Sequence, residues 1–177
     1  MFHRSERLLL RPPWPEDWKL VHGAIADEGV VRNLASAPWP YEPQHAREFV
    51  GLPVLPACPR FLIARADNAR LVGCIGIDPR DGDVELGYWI ARQHWGQGYA
   101  TEAGRAVLDV ARMLGHRRIV ASHFLDNPAS GRVLRKLGFL PAGTIRNRHS
   151  CARGGAAPAA DYALDLETDG LADVRAA

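Results

Sequence analysis

At 177 residues the chain has the length of one domain and can bury a sizeable core. Its hydrophobic fraction of 47% and charged fraction of 24% are those of a soluble globular protein, and a net charge of +2 with no run of Lys and Arg leaves no electrostatic footprint for nucleic acid. No apolar run approaches the roughly 20 residues that span a bilayer, residues 1–10 are too charged for a signal peptide, and Cys58, Cys74 and Cys151 at unrelated spacings point to a reducing compartment. The expected location is the cytoplasm, without membrane or nucleic-acid partners, as a monomer or homodimer.

Residues 7–11 (RLLLR) read as a strand ended by Pro12 and Pro13. Residues 15–29 carry Trp18, Val21, His22 and Ile25 at helical spacing, and residues 43–52 form a second helix with Ala46, Phe49 and Val50 inward. Between them, Pro38, Trp39, Pro40 and Tyr41 make an aromatic loop. Residues 60–66, 71–77 and 84–90 read as an antiparallel meander separated by the turn signals Asp67-Asn68 and Arg80-Asp81-Gly82. Residues 98–114 turn helical, with Ala103, Ala106, Val107, Val110, Ala111 and Leu114 on one face and Gly115 as the stop. A strand over 118–124, a short helix over 128–137 and strands over 140–145 and 161–167 follow, with a Gly- and Ala-rich stretch at 150–160 expected to be mobile. One domain is expected over residues 1–169 and a disordered tail over 170–177. The alternation of strands and helices implies an α/β fold around a mixed sheet.

The most informative segment is VELGYWIARQHWGQGYATEAG, residues 84–104. A strand leads into a turn with Gly96 and Gly98 and then into a helix. Glycines let backbone approach a ligand with no Cβ in the way, and the helix start offers unpaired N–H groups and the positive end of its dipole, a site for a phosphate. The dinucleotide fingerprint fails because Thr101 stands where its third Gly belongs, and no Gly-Lys-Ser/Thr completes a Walker loop. The seven His and three Cys show no metal-ligand spacing, so no metal is expected.

The pattern Gln93-x-x-Gly96-x-Gly98 resembles the pyrophosphate loop of the GNAT superfamily of N-acetyltransferases, and GYWIARQHWGQGYATEA is similar to the branch that includes the ribosomal-protein N-terminal acetyltransferases. Downstream, Asn127, Ser130, Lys136, Gly138 and Phe139 match the family's second hallmark, N-x-x-S-x-x-x-x-x-K-x-G-F. The resemblance implies a GNAT-like, mostly antiparallel sheet of about seven strands with about four flanking helices, and a splayed, V-shaped cleft for acetyl-CoA. It implies cofactor contacts from Trp89, Ile90, His94, Trp95, Gly96, Gln97, Gly98, Tyr99, Ala100 and Asn127, with oxyanion stabilisation from backbone N–H near Trp89 and Ile90. Asn127 also reads as an N-cap with Pro128 at the first helical position. Arg132, Arg135 and Lys136 read as solvated charges that can reach the cofactor's 3′-phosphate.

The implied reaction is direct attack of a primary amine on the acetyl thioester, since no nucleophile–base arrangement is visible. An α-amine with a pKa near 8 needs about 1.4 kcal/mol to lose its proton at pH 7, against about 4.6 kcal/mol for a lysine amine near 10.4. Glu85, on the strand before the glycine turn, is the first candidate base and His123 an alternative. Ser130 is the candidate proton donor to the departing thiolate. The ribosomal-protein branch uses a Glu beyond the Gly-Phe hallmark, and this chain has no acid between Phe139 and Ala160. Trp39 and Tyr41 are the candidate acceptor-binding residues, with Trp14, Trp18 and His22 also considered. The acceptor is either a small amine or a peptide N-terminus, and the competing function is a non-catalytic acyl-CoA-binding sensor or interaction module.

Overall fold

The computed structural model describes residues 1–166, so the expected tail at 170–177 and the domain limit at 169 lie outside the described residues. The N-terminal strand splits into β1 (His3–Arg4) and β2 (Leu8–Arg11), and Pro15–Asp17 forms one turn of 3₁₀-helix. The expected helix over 15–29 is two helices, α1 (Trp18–Ile25) and α2 (Glu28–Val31). The break falls at Asp27, which is extended (φ −137°, ψ 126°) and whose carbonyl accepts from the N–H groups of Val30 and Val31 at 2.9 and 3.0 Å. Next come α3 (Pro43–Gly51), β3 (Arg60–Arg65), β4 (Leu71–Arg80), β5 (Asp83–Ile90), α4 (Tyr99–Met113), β6 (Arg118–Phe124), α5 (Pro128–Lys136), β7 (Leu140–Ser150) and β8 (Gly155–Asp165).

All eight strands form one sheet in the order β1-β2-β3-β4-β5-β6-β8-β7, with one parallel pair, β5·β6. That is the GNAT-like mixed, mostly antiparallel architecture, with eight strands instead of seven and five helices instead of four. The added strand is the two-residue β1, too short to show in the sequence.

One layer packs α4 and α5 against the sheet, burying Ala103, Val107, Val110 and Leu134 on Leu10, Ile63, Ile75, Leu86 and Ile119. The opposite face carries α1, α2 and α3, with Val21, Ile25, Ala46 and Val50 on Leu62, Cys74 and Trp89. Because side chains alternate across a strand, β5 serves both layers. Val84, Leu86, Tyr88 and Ile90 belong with α4, while Trp89 packs with α1 to α3.

The expected mobile stretch at 150–160 is ordered. Cys151–Arg153 form a 3₁₀ turn, Gly154 turns the chain at φ 64°, and β8 begins at Gly155. Its small residues let β7 and β8 pair closely, from Ser150↔Gly155 to Leu140↔Ala163. No described helix is long and apolar enough to cross a membrane.

Candidate active site

The decisive feature is a split in the sheet. β5 pairs with β6 only at Val84↔Ile119 and Glu85↔Val120, whereas β6 stays paired with β8 along its length. From Leu86 to Ile90, the β6-facing edge of β5 has no strand partner, which frees backbone groups for a ligand. The start of α4 and α5 line the split, and Asn33 and Leu34 of the loop after α2 reach it as well. Two cavities open at the cleft, about 280 Å³ on the α4/α5 side and about 650 Å³ on the α1/α3 side, and Asn33, Leu34, Tyr88 and Trp89 line both.

The smaller cavity is built on the glycine turn. Gly96 (φ 74°) and Gly98 (φ 81°) both take the left-handed conformation that suits glycine, and a Cβ on Gly96 would meet nothing within 4 Å. Gly98 is the N-cap of α4, and the first N–H that bonds back into the helix is that of Glu102, to the Gly98 carbonyl at 3.1 Å. The N–H groups of Tyr99, Ala100 and Thr101 are therefore offered to the cleft, together with the helix dipole. This cradle fits a pyrophosphate.

Of the residues expected here, Trp89, Ile90, His94, Trp95, Gly96, Gly98, Tyr99, Ala100 and Asn127 line the cavity. Gln97 does not: its side-chain amide donates to the Gln93 carbonyl at 3.1 Å, and its own carbonyl accepts from Arg7 Nη1 at 3.1 Å. Trp95 Nε1 donates to the Ile90 carbonyl at 2.7 Å and so ties the turn to the strand end. The His94 ring is buried, has no partner at Nε2 and lies edge-on to Tyr99. Burial, then the charges of Arg70 and Arg65, lower its pKa, so the ring is neutral at pH 7. Arg132 and Lys136 line the cavity, while Arg135 turns away to the Tyr162 hydroxyl at 3.2 Å.

Three contributors were not legible in the sequence: Arg7 and Ser5, which act together, and Tyr88. Arg7 and Ser5 clamp Glu102 in the first turn of α4, with Arg7 Nε to Oε2 at 2.8 Å and Ser5 Oγ to Oε1 at 2.7 Å. They fix the helix start against the N-terminal strands, across a sequence separation no local pattern reveals. Tyr88 is the third: its hydroxyl lies 2.8 Å from Ser130 Oγ. Burial pushes the Tyr88 hydroxyl up to about 12 despite its bond to Ser130, so it holds its proton at neutral pH. Asn127 Oδ1 accepts from Ser130 N–H at 3.3 Å, so Asn127 both caps α5 and lines the cleft.

The larger cavity has β4 and β5 as its floor and α3 and the 33–38 loop as walls. Glu85 faces it, but not as a free carboxylate. Arg148 from β7 bonds both its oxygens, Arg80 Nη1 lies 2.7 Å from Oε2, and Ser122 Oγ donates to Oε1 at 3.3 Å. Arg148 also bonds Ser122. Burial raises the Glu85 pKa, but the hydrogen bonds and charges of Arg148 and Arg80 outweigh it, and the net shift is downward. A group whose pKa falls on folding stabilises the fold above its ordinary value of 4.5, and that contribution is lost as pH drops through the lowered value. Glu85→Gln is therefore expected to destabilise the protein at pH 7, with the gap to wild type closing below pH 4.5, as read by urea unfolding midpoints across pH. Arg148→Ala should cost about 1.5–3 kcal/mol at pH 7 in the same assay, the range for a hydrogen bond to a charged group.

Tyr41 is buried and lines this cavity, whereas Trp39, at 42% exposed, does not. Of the two residues expected to bind the acceptor, the fold thus brings Tyr41 to the cavity and leaves Trp39 outside its lining. Trp14, Trp18 and His22 also lie outside the lining; the His22 ring meets the Tyr41 carbonyl at 3.1 Å. His123 lines the cavity with Nδ1 on the Phe124 carbonyl at 2.8 Å, and its Nε2 edge packs so close to α5 that a Cβ on Gly131 would come within 2.6 Å. Across the far side, the turn joining β7 and β8 docks on the loop after α2: Ser150 Oγ donates to the Leu34 carbonyl at 2.8 Å and Cys151 N–H to the Ala35 carbonyl at 2.9 Å. Arg153 joins Asp126 at 2.8 Å and donates to the Arg32 carbonyl at 2.7 Å, tying the same turn to the segments after α2 and β6.

A split sheet with a glycine cradle at one helix start defines an acyl-CoA-type transferase site. Residues 7–140 match the family model for the acetyltransferase (GNAT) domain. The chain is 30% identical over 151 residues to the uncharacterised N-acetyltransferase YoaA of Bacillus subtilis, covering 80% of this chain and 84% of that protein. A GNAT-family acetyltransferase from Bacillus anthracis superposes with a TM-score of 0.81 at 25% identity, over 93% of this chain and 98% of that one. At 20% identity, RimL, a ribosomal L7/L12 alpha-N-protein acetyltransferase crystallised with coenzyme A, shares the fold with a TM-score of 0.77 over 96% of this chain and all of that one (100%). The chain belongs to the GNAT acetyltransferase family.

Proposed function

We propose that this enzyme moves the acetyl group of acetyl-CoA directly to a small primary amine within a ternary complex. The observation that carries the reading is the meeting of the two cavities at Tyr88 and Trp89, which lets a thioester in one face an amine in the other with no protein carrier between. Bound acetyl-CoA supplies an activated acyl group. The chain's part is to hold its phosphates on Gly96, Gly98 and the first turn of α4, and its 3′-phosphate with Arg132 or Lys136. The free edge of β5 offers backbone N–H at Ile90 to the carbonyl oxygen as it gains charge, whereas the Trp89 N–H faces β4, as that of Ala91 does in bonding the Val72 carbonyl at 2.8 Å. An acyl-enzyme finds no support in Cys74, which burial pushes up to about 12 and keeps a thiol.

The small acceptor is suggested by the turn joining β7 and β8, which docks on the loop after α2 with Cys151 in the cavity lining and narrows the approach for a folded partner. With both oxygens held by arginines, Glu85 is a poor base. Its proposed role is to position Arg148 and Ser122, while water takes the proton of an amine whose deprotonation costs little. The Glu85→Gln pH–rate profile should then keep its shape, and selective loss at low pH would restore Glu85 as the base. Acetyl-CoA turnover over a panel of small amines and N-terminal peptides tests the whole reading. The expected result is turnover of small amines above peptides. Turnover of peptides alone would favour the RimL-like acceptor, and binding without turnover of any amine would leave an acyl-CoA-binding module.

A further inference from the structure

Gly87 is a glycine without a structural reason. It lies in the middle of β5, the fifth strand of eight, and its φ is not positive, so no turn requires it. Its cross-strand partner Gly76 has a packing reason: a Cβ there would sit 3.0 Å from both Arg60 Cα and the Pro59 carbonyl. A Cβ on Gly87 would meet nothing within 4 Å. Glycine inside a strand weakens it, and an alanine here would cost nothing in contacts. Gly87 is also exposed although its neighbours in β5 are buried or half-buried, and the space above it is the larger cavity.

The register places this bare patch between two ledges on the same face. Cys74 and Trp89 stand opposite each other on one side, and Asp78 and Glu85 on the other. Side chains four apart on a strand are separated by about 13.6 Å, so the ledges bound a slot in which ligand atoms can rest on the peptide backbone itself. Phe49 and Tyr41 wall the slot from α3 and the preceding loop. The slot also abuts Tyr88 and Trp89, where the two cavities meet.

We infer that Gly87 is the seat of the acceptor and determines its specificity, admitting a primary amine carried on a planar or unbranched stem. Such a stem lies flat on the Gly76–Gly87 floor with its amine toward the split. A stem branched beside the amine needs the height that the aromatic walls deny. This rests on the amine-acetyltransferase reading, and the test separates the two.

Transfer from acetyl-CoA is measured with 2-phenylethylamine and with tert-butylamine, in wild type and in Gly87→Ala and Gly87→Val. Wild type should favour 2-phenylethylamine at least tenfold in kcat/KM. Gly87→Val should raise its KM tenfold or more, with Gly87→Ala intermediate, while calorimetric affinity for coenzyme A stays within twofold and the melting temperature does not fall. A Gly87→Val enzyme with unchanged KM, or a wild type that prefers tert-butylamine, would overturn the seat alone. No transfer to either amine by wild type would overturn the seat together with the reading beneath it. A Gly87→Val protein that loses coenzyme A affinity in parallel would move Gly87 to the cofactor site and also overturn the proposal.

Discussion

Gly98→Val is expected to lower affinity for acetyl-CoA at least tenfold, about 1.4 kcal/mol, in a protein that still folds. Gly98 sits at φ 81° as the N-cap of α4, where a β-branched residue is strained by roughly 1–2 kcal/mol. The variant can relieve that strain by rotating the turn out of the left-handed region, which swings the N–H groups of Tyr99, Ala100 and Thr101 away from a common focus. If the turn holds instead, the added side chain stands where the phosphates approach. A built Cβ is 3.5 Å from Arg7 Nη2, an ordinary contact, so packing alone does not unfold the protein. Calorimetry reads the affinity and circular dichroism the fold. Unchanged affinity in a folded variant would remove the glycine turn as the phosphate site.

Ser130→Ala is expected to lower kcat tenfold or more with cofactor affinity nearly intact. A thiolate with a pKa near 8.5, by analogy with Cys, leaves unaided unless collapse of the tetrahedral species limits the rate; general acid help is then typically worth 10² to 10⁴. The hydroxyl is well placed to give it, because Ser130 lines the smaller cavity, Tyr88 holds its Oγ at 2.8 Å, and Asn127 Oδ1 holds its backbone N–H at 3.3 Å. Ala is the better helix former, so α5 survives. Tyr88→Phe removes the bond that orients Ser130, and its effect should vanish once Ser130 is already Ala. Additive losses in that cycle would mean that Tyr88 acts by itself. A Ser130→Ala kcat within twofold of wild type, with chemistry shown to be rate-limiting by single-turnover kinetics, would make Ser130 a passive hydroxyl.

The sequence carried those features whose cause is local. Gly96, Gly98 and the following helix are written within a few residues, because a phosphate cradle is made of consecutive backbone. The same holds for Asn127, Pro128 and Ser130, where one cap positions one hydroxyl. Cys74 was legible as core from its apolar strand, and burial pushes its thiol up to about 12.

What needed the tertiary structure depended on groups distant in sequence. Glu85 reads as a free carboxylate until Arg148, 63 residues away, is folded onto it. The 150–160 stretch reads as mobile because small residues carry no local order of their own, yet pairing with β7 and docking on Leu34 and Ala35 decide it. Tyr88 and Trp89 are adjacent in sequence but pack into opposite layers of the sheet, and the split brings both to the place where the two cavities meet. The glycine turn alone could thus reveal a phosphate cradle. The larger cavity is lined by segments scattered from Ile25 to Ala159, so its shape exists only once the sheet has formed and split.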